Sequence, residues 1–223
     1  MNPPNAQTAS NLITMLASFM LVLQLLLAVQ SMLVTNIRLF ALQSLLLAGI
    51  AAVVGYAYGA WHVYVVALLT IVGKVFFLPW WLERLVRQIK IEQEIRPFVN
   101  MPGSMLICGA LTVLAYVVAH PVASSLQRLG SNTLAVAIAL LLTGFFLMIN
   151  RRKAITQVLA LLTMENGVML AAIALTTYGM PLVVEIGVFF DVVIAVMVLG
   201  ILVFRIRETF ASMDVSKLNQ LKW

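Results

Sequence analysis

Long apolar runs, each close to the length of a membrane crossing and each ended by a short polar or Pro/Gly segment, limit what this chain can fold into. They lie near residues 11–35, 39–59, 61–82, 104–120, 133–150, 153–176 and 180–204. A bilayer core takes about 20 apolar residues per crossing helix. Lipid offers no partner for backbone N–H and C=O groups, so each run is expected to satisfy its own as a helix. The sequence is 63% hydrophobic and 10% charged, against roughly 45–50% apolar in soluble domains. The expectation is an all-α integral membrane protein, a bundle of about seven transmembrane helices.

Charge placement gives this helix count an orientation. If the seven runs are helices, twelve of the fourteen Lys and Arg residues fall on one side: Arg38; Arg84, Arg87, Lys90 and Arg96; Arg151, Arg152 and Lys153; Arg205, Arg207, Lys217 and Lys222. Arg128 lies on the other side and Lys74 inside a helix. Basic loops mark the cytoplasmic face, so the N-terminus is expected outside and the C-terminus in the cytoplasm. A helix missed or added mid-chain would move every later loop across the membrane and destroy the asymmetry. The net charge of +6 is thereby read as membrane orientation, with no nucleic-acid partner. Residues 1–10 hold no positive residue ahead of the first run, so that run is expected to stay as a helix and not to be cleaved as a signal. The single cysteine, Cys108, permits no internal disulfide and reads as a small filler facing lipid or another helix.

Two units share a pattern of basic residue, helix, Tyr-Gly break, helix with a mid-membrane charge, and basic segment. One runs from Arg38 through Tyr58-Gly59 and Lys74 to Arg84, the other from Lys153 through Tyr178-Gly179 and Asp191 to Arg205. With one helix between them they would be parallel repeats. The seven runs place four helices in a first part (1–132) and three in a second (133–208), ahead of a cytoplasmic tail (209–223). The tail scatters Phe210, Met213, Val215, Leu218 and Leu221 among basic residues and is expected to lie against a partner.

Three ionisable residues sit far from the ends of their runs: Lys74 in LLTIVGKVFFLPWW, Glu165 in LALLTMENGVMLAAIAL and Asp191 in VEIGVFFDVVIAVMVLGIL. Ionisable groups at mid-membrane are costly, so they face the bundle interior and mark ion or proton routes. One alone could be half of an interhelical packing bond; three at matched depth, of both signs, favour a relay. Thr163 and Asn166 beside Glu165 are able to hold a water or bond the carboxyl group. Glu185 lies nearer its helix end and reads equally as a snorkelling group or a relay member. Gln43 reads first as a packing hydrogen bond. His62 and His120 fall at the outer boundary as solvated groups, and Trp61, Trp80 and Trp81 as interfacial anchors. No Gly-rich nucleotide loop, H-E-x-x-H or cysteine cluster is present, so no catalytic residue, metal ligand or cofactor is assigned to this chain.

The stretches LLTMENGVMLAAIAL and LVVEIGVFFDVVIAVMVLGILVFRIRETFASMDVSKLNQLK, with TIVGKVFFLPW and ALQSLLLAGIAA in the first half, resemble the E component of hydrogenase-4 and related formate hydrogenlyases. The last three helices look like the K-type subunit of complex I and the C-type subunit of multi-subunit sodium/proton antiporters. The K-type subunit carries a glutamate in each of its second and third helices. By position these fall on Glu165 and on Asp191, where Asp replaces Glu and reaches one methylene less.

The resemblance implies a non-catalytic, multi-pass subunit of the bacterial inner membrane. Its implied partners are antiporter-like and H-type membrane subunits and a hydrogenase peripheral arm, with metal and cluster sites elsewhere. Glu165 and Asp191 are then the expected proton carriers and Lys74 their charge-switching counterpart, with Glu185, Asn166 and Gln43 secondary. Two alternatives stand beside this: a subunit of a cation/proton antiporter with no redox arm, and a purely structural scaffold.

Overall fold

Gln30 ends the first helix. Its side-chain Oε1 accepts the N–H of Ser31 at 2.9 Å and of Met32 at 3.3 Å, and its carbonyl accepts Asn36 Nδ2 at 3.2 Å. A side chain that takes backbone donors at a helix terminus competes with continuation of the helix. The first helix, α1, is therefore Pro4–Val29, and α2 is Leu33–Tyr58. The break comes several residues earlier than the apolar run 11–35 predicts, because residues 31–35 are apolar enough to hide it. At its far end α2 closes on Gly59, whose φ of 65° is left-handed and whose N–H reaches the Gly55 carbonyl. Glycine adopts that conformation without a Cβ penalty.

The computed structural model describes residues 4–59, 61–89, 97–123, 131–175 and Gly200. After α2 come α3 (Trp61–Thr70), a π-helical turn (Ile71–Phe77) and α4 (Leu78–Ile89), which together make one rod. Then follow α5 (Met101–Ala123), α6 (Ser131–Asn150) and α7 (Ala154–Leu175). Six segments among the described residues are long and apolar enough to cross a membrane: Gln7–Val29, Leu33–Ala57, Val63–Arg87, Met101–Pro121, Asn132–Asn150 and Ile155–Leu175. The expected seventh span at 180–204, with Glu185 and Asp191, lies outside the described residues apart from Gly200, as do Tyr178-Gly179, Arg128 and the tail 209–223. The third rod runs on to Ile89, past the boundary near 82, because residues 78–89 keep apolar spacing on one face. Leu78, Leu82, Leu85 and Val86 are buried while Trp80, Arg84 and Arg87 are exposed.

The basic segments meet at one end of the bundle. Arg38 on α2 pairs with Glu83 on α4 at 3.5 Å. Arg151, buried after α6, donates from Nη2 to the carbonyls of Leu27 at 2.7 Å and Gln30 at 3.0 Å at the end of α1. Free carbonyls at a helix C-terminus are favourable partners for a cation. Asn150 ties the entry of α5 to the end of α6: its Oδ1 accepts Val99 N–H at 2.7 Å and its Nδ2 donates to Ser104 Oγ at 2.9 Å. Arg152 stacks over Phe98, 4.3 Å from the ring centre.

The apolar core is split into two main clusters. One gathers Ala17, Met20, Leu47, Ala67, Leu140 and Met169; the other gathers Leu27, Phe40, Leu78, Leu147 and Leu162 at the basic end. On α1, α2, the third rod, α6 and α7, nine of the buried polar residues lie between these two sets: Gln24, Gln43, Ser44, Thr70, Lys74, Thr143, Thr163, Glu165 and Asn166. Five helices thus contribute to one polar layer across the interior.

Candidate functional site

Lys74 enters this layer from the π-helical turn. In a π-turn the N–H reaches five residues back, as Leu78 does to the Gly73 carbonyl, and the wider turn changes which side chains face inward. Gly73 and Lys74 are its buried residues. Such turns inside membrane-length helices often occur where a helix positions a functional group. Here the group is an ammonium that is 2% exposed.

Its partner comes from α7. Lys74 Nζ lies 2.9 Å from Glu165 Oε1, and the Glu165 side chain is 9% exposed. These two residues are 91 positions apart in sequence, and the fold joins them at the centre of the bundle. Among the described residues Nζ has no further hydrogen-bond acceptor. Burying two charges costs several kcal/mol per ion, and their attraction repays it only when the remaining donors are also satisfied. The pair is therefore a poor way to gain stability.

The interhelical hydrogen bonds of Thr163 and Asn166 run to α1 and α2 and not to the neighbouring Glu165 carboxyl group. One residue of helix turns a side chain by about 100°, and both point to α1 and α2 instead. Asn166 Nδ2 donates to Gln43 Oε1 at 3.3 Å and to Ser44 Oγ at 3.1 Å. Gln43 Nε2 donates to Gln24 Oε1 at 3.1 Å and to the Met20 carbonyl at 3.3 Å. Gln24 Nε2 donates to Thr163 Oγ1 at 3.4 Å, and that hydroxyl donates to the Ala160 carbonyl at 2.8 Å. Each amide donates to the next, in a chain that starts and ends on α7. The chain links α7 to α1 and α2 beside Glu165. Gln43 is the packing group the sequence suggests, at the centre of a larger network.

Gln24 and Ser44 carry no charge and are absent from the sequence-based candidates. Their signal is position: each is a polar residue in an apolar run, and Ser44 adjoins Gln43. Cys108 is fully buried and faces other helices. Trp61 and Trp80 are mostly exposed and Trp81 is half-buried, edge-on to Phe77 with ring centres 5.9 Å apart. His120 is exposed and lines an outer cleft with Thr112 and Tyr116. The side chain of His62 lies outside what is described. Among the described residues, no group of three or more His, Cys, Asp or Glu side chains comes together to hold a metal.

A charged pair inside a membrane-length bundle, attached to an MENG motif, can be compared with known proteins. The chain is 30% identical to hydrogenase-4 component E of Escherichia coli, over 82% of this chain and 84% of the relative. It belongs to the hydrogenase-4 component E family. The component E of Shigella flexneri matches to the same extent, and an uncharacterized protein of Mycobacterium tuberculosis is 33% identical over 83% of this chain and 84% of its own length. Residues 132–223 also match the family described as NADH-ubiquinone/plastoquinone oxidoreductase chain 4L, so the K-type likeness read from the last three helices is upheld. No solved structure matches the chain. Within this component E homologue, the chain 4L match includes Glu165 but not Lys74, Gln24 or Gln43. The ion pair therefore joins the two parts of the chain.

Proposed function

We propose that this chain is a membrane subunit of a hydrogenase-4-type or complex I-like assembly, and that the Lys74–Glu165 pair handles protons moved through the membrane while redox chemistry proceeds in other subunits. The observation that carries this reading is the buried ion pair set in a polar layer between two apolar clusters. A scaffold has no need of an ammonium and a carboxylate at that depth; apolar residues of similar volume pack at least as well. Arrival of a proton or charge nearby changes which member of the pair carries charge. Return of the proton resets it. Asp191 is the second proposed carrier, with Glu185 as a lesser candidate.

Component E and chain 4L, by the names of the relatives, are parts of larger oxidoreductases. On this basis the partners are other membrane subunits and a peripheral hydrogenase arm, the membrane is the bacterial inner membrane, and the C-terminus is cytoplasmic. A cation/proton antiporter without a redox arm is the rival reading.

The test is proton pumping by the reconstituted complex carrying Glu165→Gln, normalised to assembled complex. Gln keeps the shape and hydrogen-bonding capacity but removes the titratable proton. Pumping is expected to fall at least tenfold, roughly the effect of losing one proton-transfer group, with assembly largely kept. Unchanged pumping in Glu165→Gln, Asp191→Asn would end the relay reading. Co-purification through a tag on this chain separates hydrogenase from antiporter partners.

A further inference from the structure

The outer face of α4 carries a second arrangement that the polar layer does not use. Trp80, Glu83, Arg84 and Arg87 line an open cleft of about 480 Å³. The Arg84 guanidinium lies 5.7 Å from the centre of the Trp80 ring. Glu83 faces Arg38 at 3.5 Å through one oxygen and Arg87 at 3.6 Å through the other. Both distances are long for an ion pair, and the Arg38 and Arg87 side chains are 73% and 77% exposed. Such pairs hold little energy in water. One carboxylate thus stands among three guanidinium groups.

Below the cleft the same rod is apolar and uncovered. Val72, Phe76 and Trp80, spaced one turn apart, are 56%, 67% and 61% exposed. The strip begins at tryptophan, a residue suited to the membrane-water boundary, and runs from there towards the depth of Lys74. A basic cleft directly above an exposed apolar strip matches the two halves of a phospholipid. Guanidinium forks suit phosphate oxygens, and the strip offers a surface for an acyl chain.

We propose that Arg84, Arg87 and Trp80 form a binding site for the phosphodiester head group of an anionic phospholipid, whose acyl chain lies along Phe76 and Val72. Arg38 adds positive charge at the rim, where Glu83 lies between it and Arg87. The site lies outside the chain 4L match and does not depend on proton movement.

The complex is purified in mild detergent, exchanged into detergent containing equal phosphatidylglycerol and phosphatidylcholine, washed, and its retained lipid measured by mass spectrometry. The native protein is expected to retain phosphatidylglycerol preferentially. Arg84→Gln with Arg87→Gln is expected to reduce that preference about tenfold, from roughly a factor of several per basic residue. Arg152→Gln, an exposed arginine at the same end, is expected to leave it unchanged. Trp80→Ala, which keeps every charge, is expected to weaken it as well and serves where the double variant fails to assemble. Equal loss in the Arg152→Gln control would reduce the effect to general surface charge and overturn the site. Displacement of the lipid by millimolar inorganic phosphate would assign the cleft to a soluble anion. Release of a protein subunit by the double variant, with lipid retention unchanged, would assign it to an acidic partner and also overturn the proposal.

Discussion

Gly167 on α7 meets Leu140 on α6 so closely that a Cβ added to the glycine would lie 2.9 Å from Leu140 Cβ and 2.9 Å from the Leu141 backbone nitrogen. A second close approach lies one turn away, where a Cβ on Gly144 would come within 2.9 Å of Met164 Cα. Glu165 is thus held in sequence between two points at which α6 and α7 touch backbone to backbone. Small residues at helix crossings permit such contact in membranes. Here they also fix the height of the carboxylate opposite Lys74.

Gly167→Ala is accordingly expected to push α7 away from α6, since the atoms it meets are backbone and Cβ atoms with little freedom to move. Overpacking of this kind costs about 1–3 kcal/mol. A lower thermal midpoint of the purified complex together with reduced pumping is the expected result. Gly109→Ala is the control, because a Cβ there meets nothing within 4 Å; its midpoint should not move.

The sequence announces Lys74 and Glu165 because a charge in an apolar run has few explanations. It conceals that they touch, since pairing depends on how α7 rotates against the third rod, and the π-turn that sets Lys74 inward leaves no mark in IVGKVFF. Gln24 is hidden for a different reason. An uncharged amide costs less to bury than an ion, so a search for expensive groups passes over it. The break at Gln30 is concealed too, because residues 31–35 remain apolar across it.

Gln24→Leu tests whether the amide chain is a structural anchor. Leucine is close in size but removes the acceptor for Gln43 and the donor for Thr163, leaving a buried amide hydrogen without its partner. That omission costs about 1–3 kcal/mol. The complex is expected to lose several degrees in thermal midpoint while pumping per assembled complex stays near normal. A loss of pumping with no change in stability would instead make Gln24 part of the proton route.

Orientation is tested by placing single cysteines at Ser125 and Ser216 in a Cys108→Ala background and labelling intact cells with an impermeant maleimide. The one-sided distribution of Lys and Arg predicts labelling at residue 125 and protection at residue 216 until the membrane is opened. Label at both positions in intact cells would remove the seven-span arrangement, since the loop and the tail would then share a face.

The final prediction separates the stability of the ion pair from its use. Lys74→Met leaves a carboxylate buried without its counter-charge; removing one member of a buried pair in this way costs about 3–5 kcal/mol. Removing both eliminates the uncompensated charge, so the double variant is expected to regain most of the stability lost in Lys74→Met. Pumping should not return with it, because no titratable group remains at either position. Stability is measured by thermal unfolding of the complex in detergent, and pumping by acidification in reconstituted vesicles. If the double variant pumps at the native rate once it assembles normally, the charges serve packing alone; if it assembles and stays silent, packing and proton handling are distinct roles of the same two side chains.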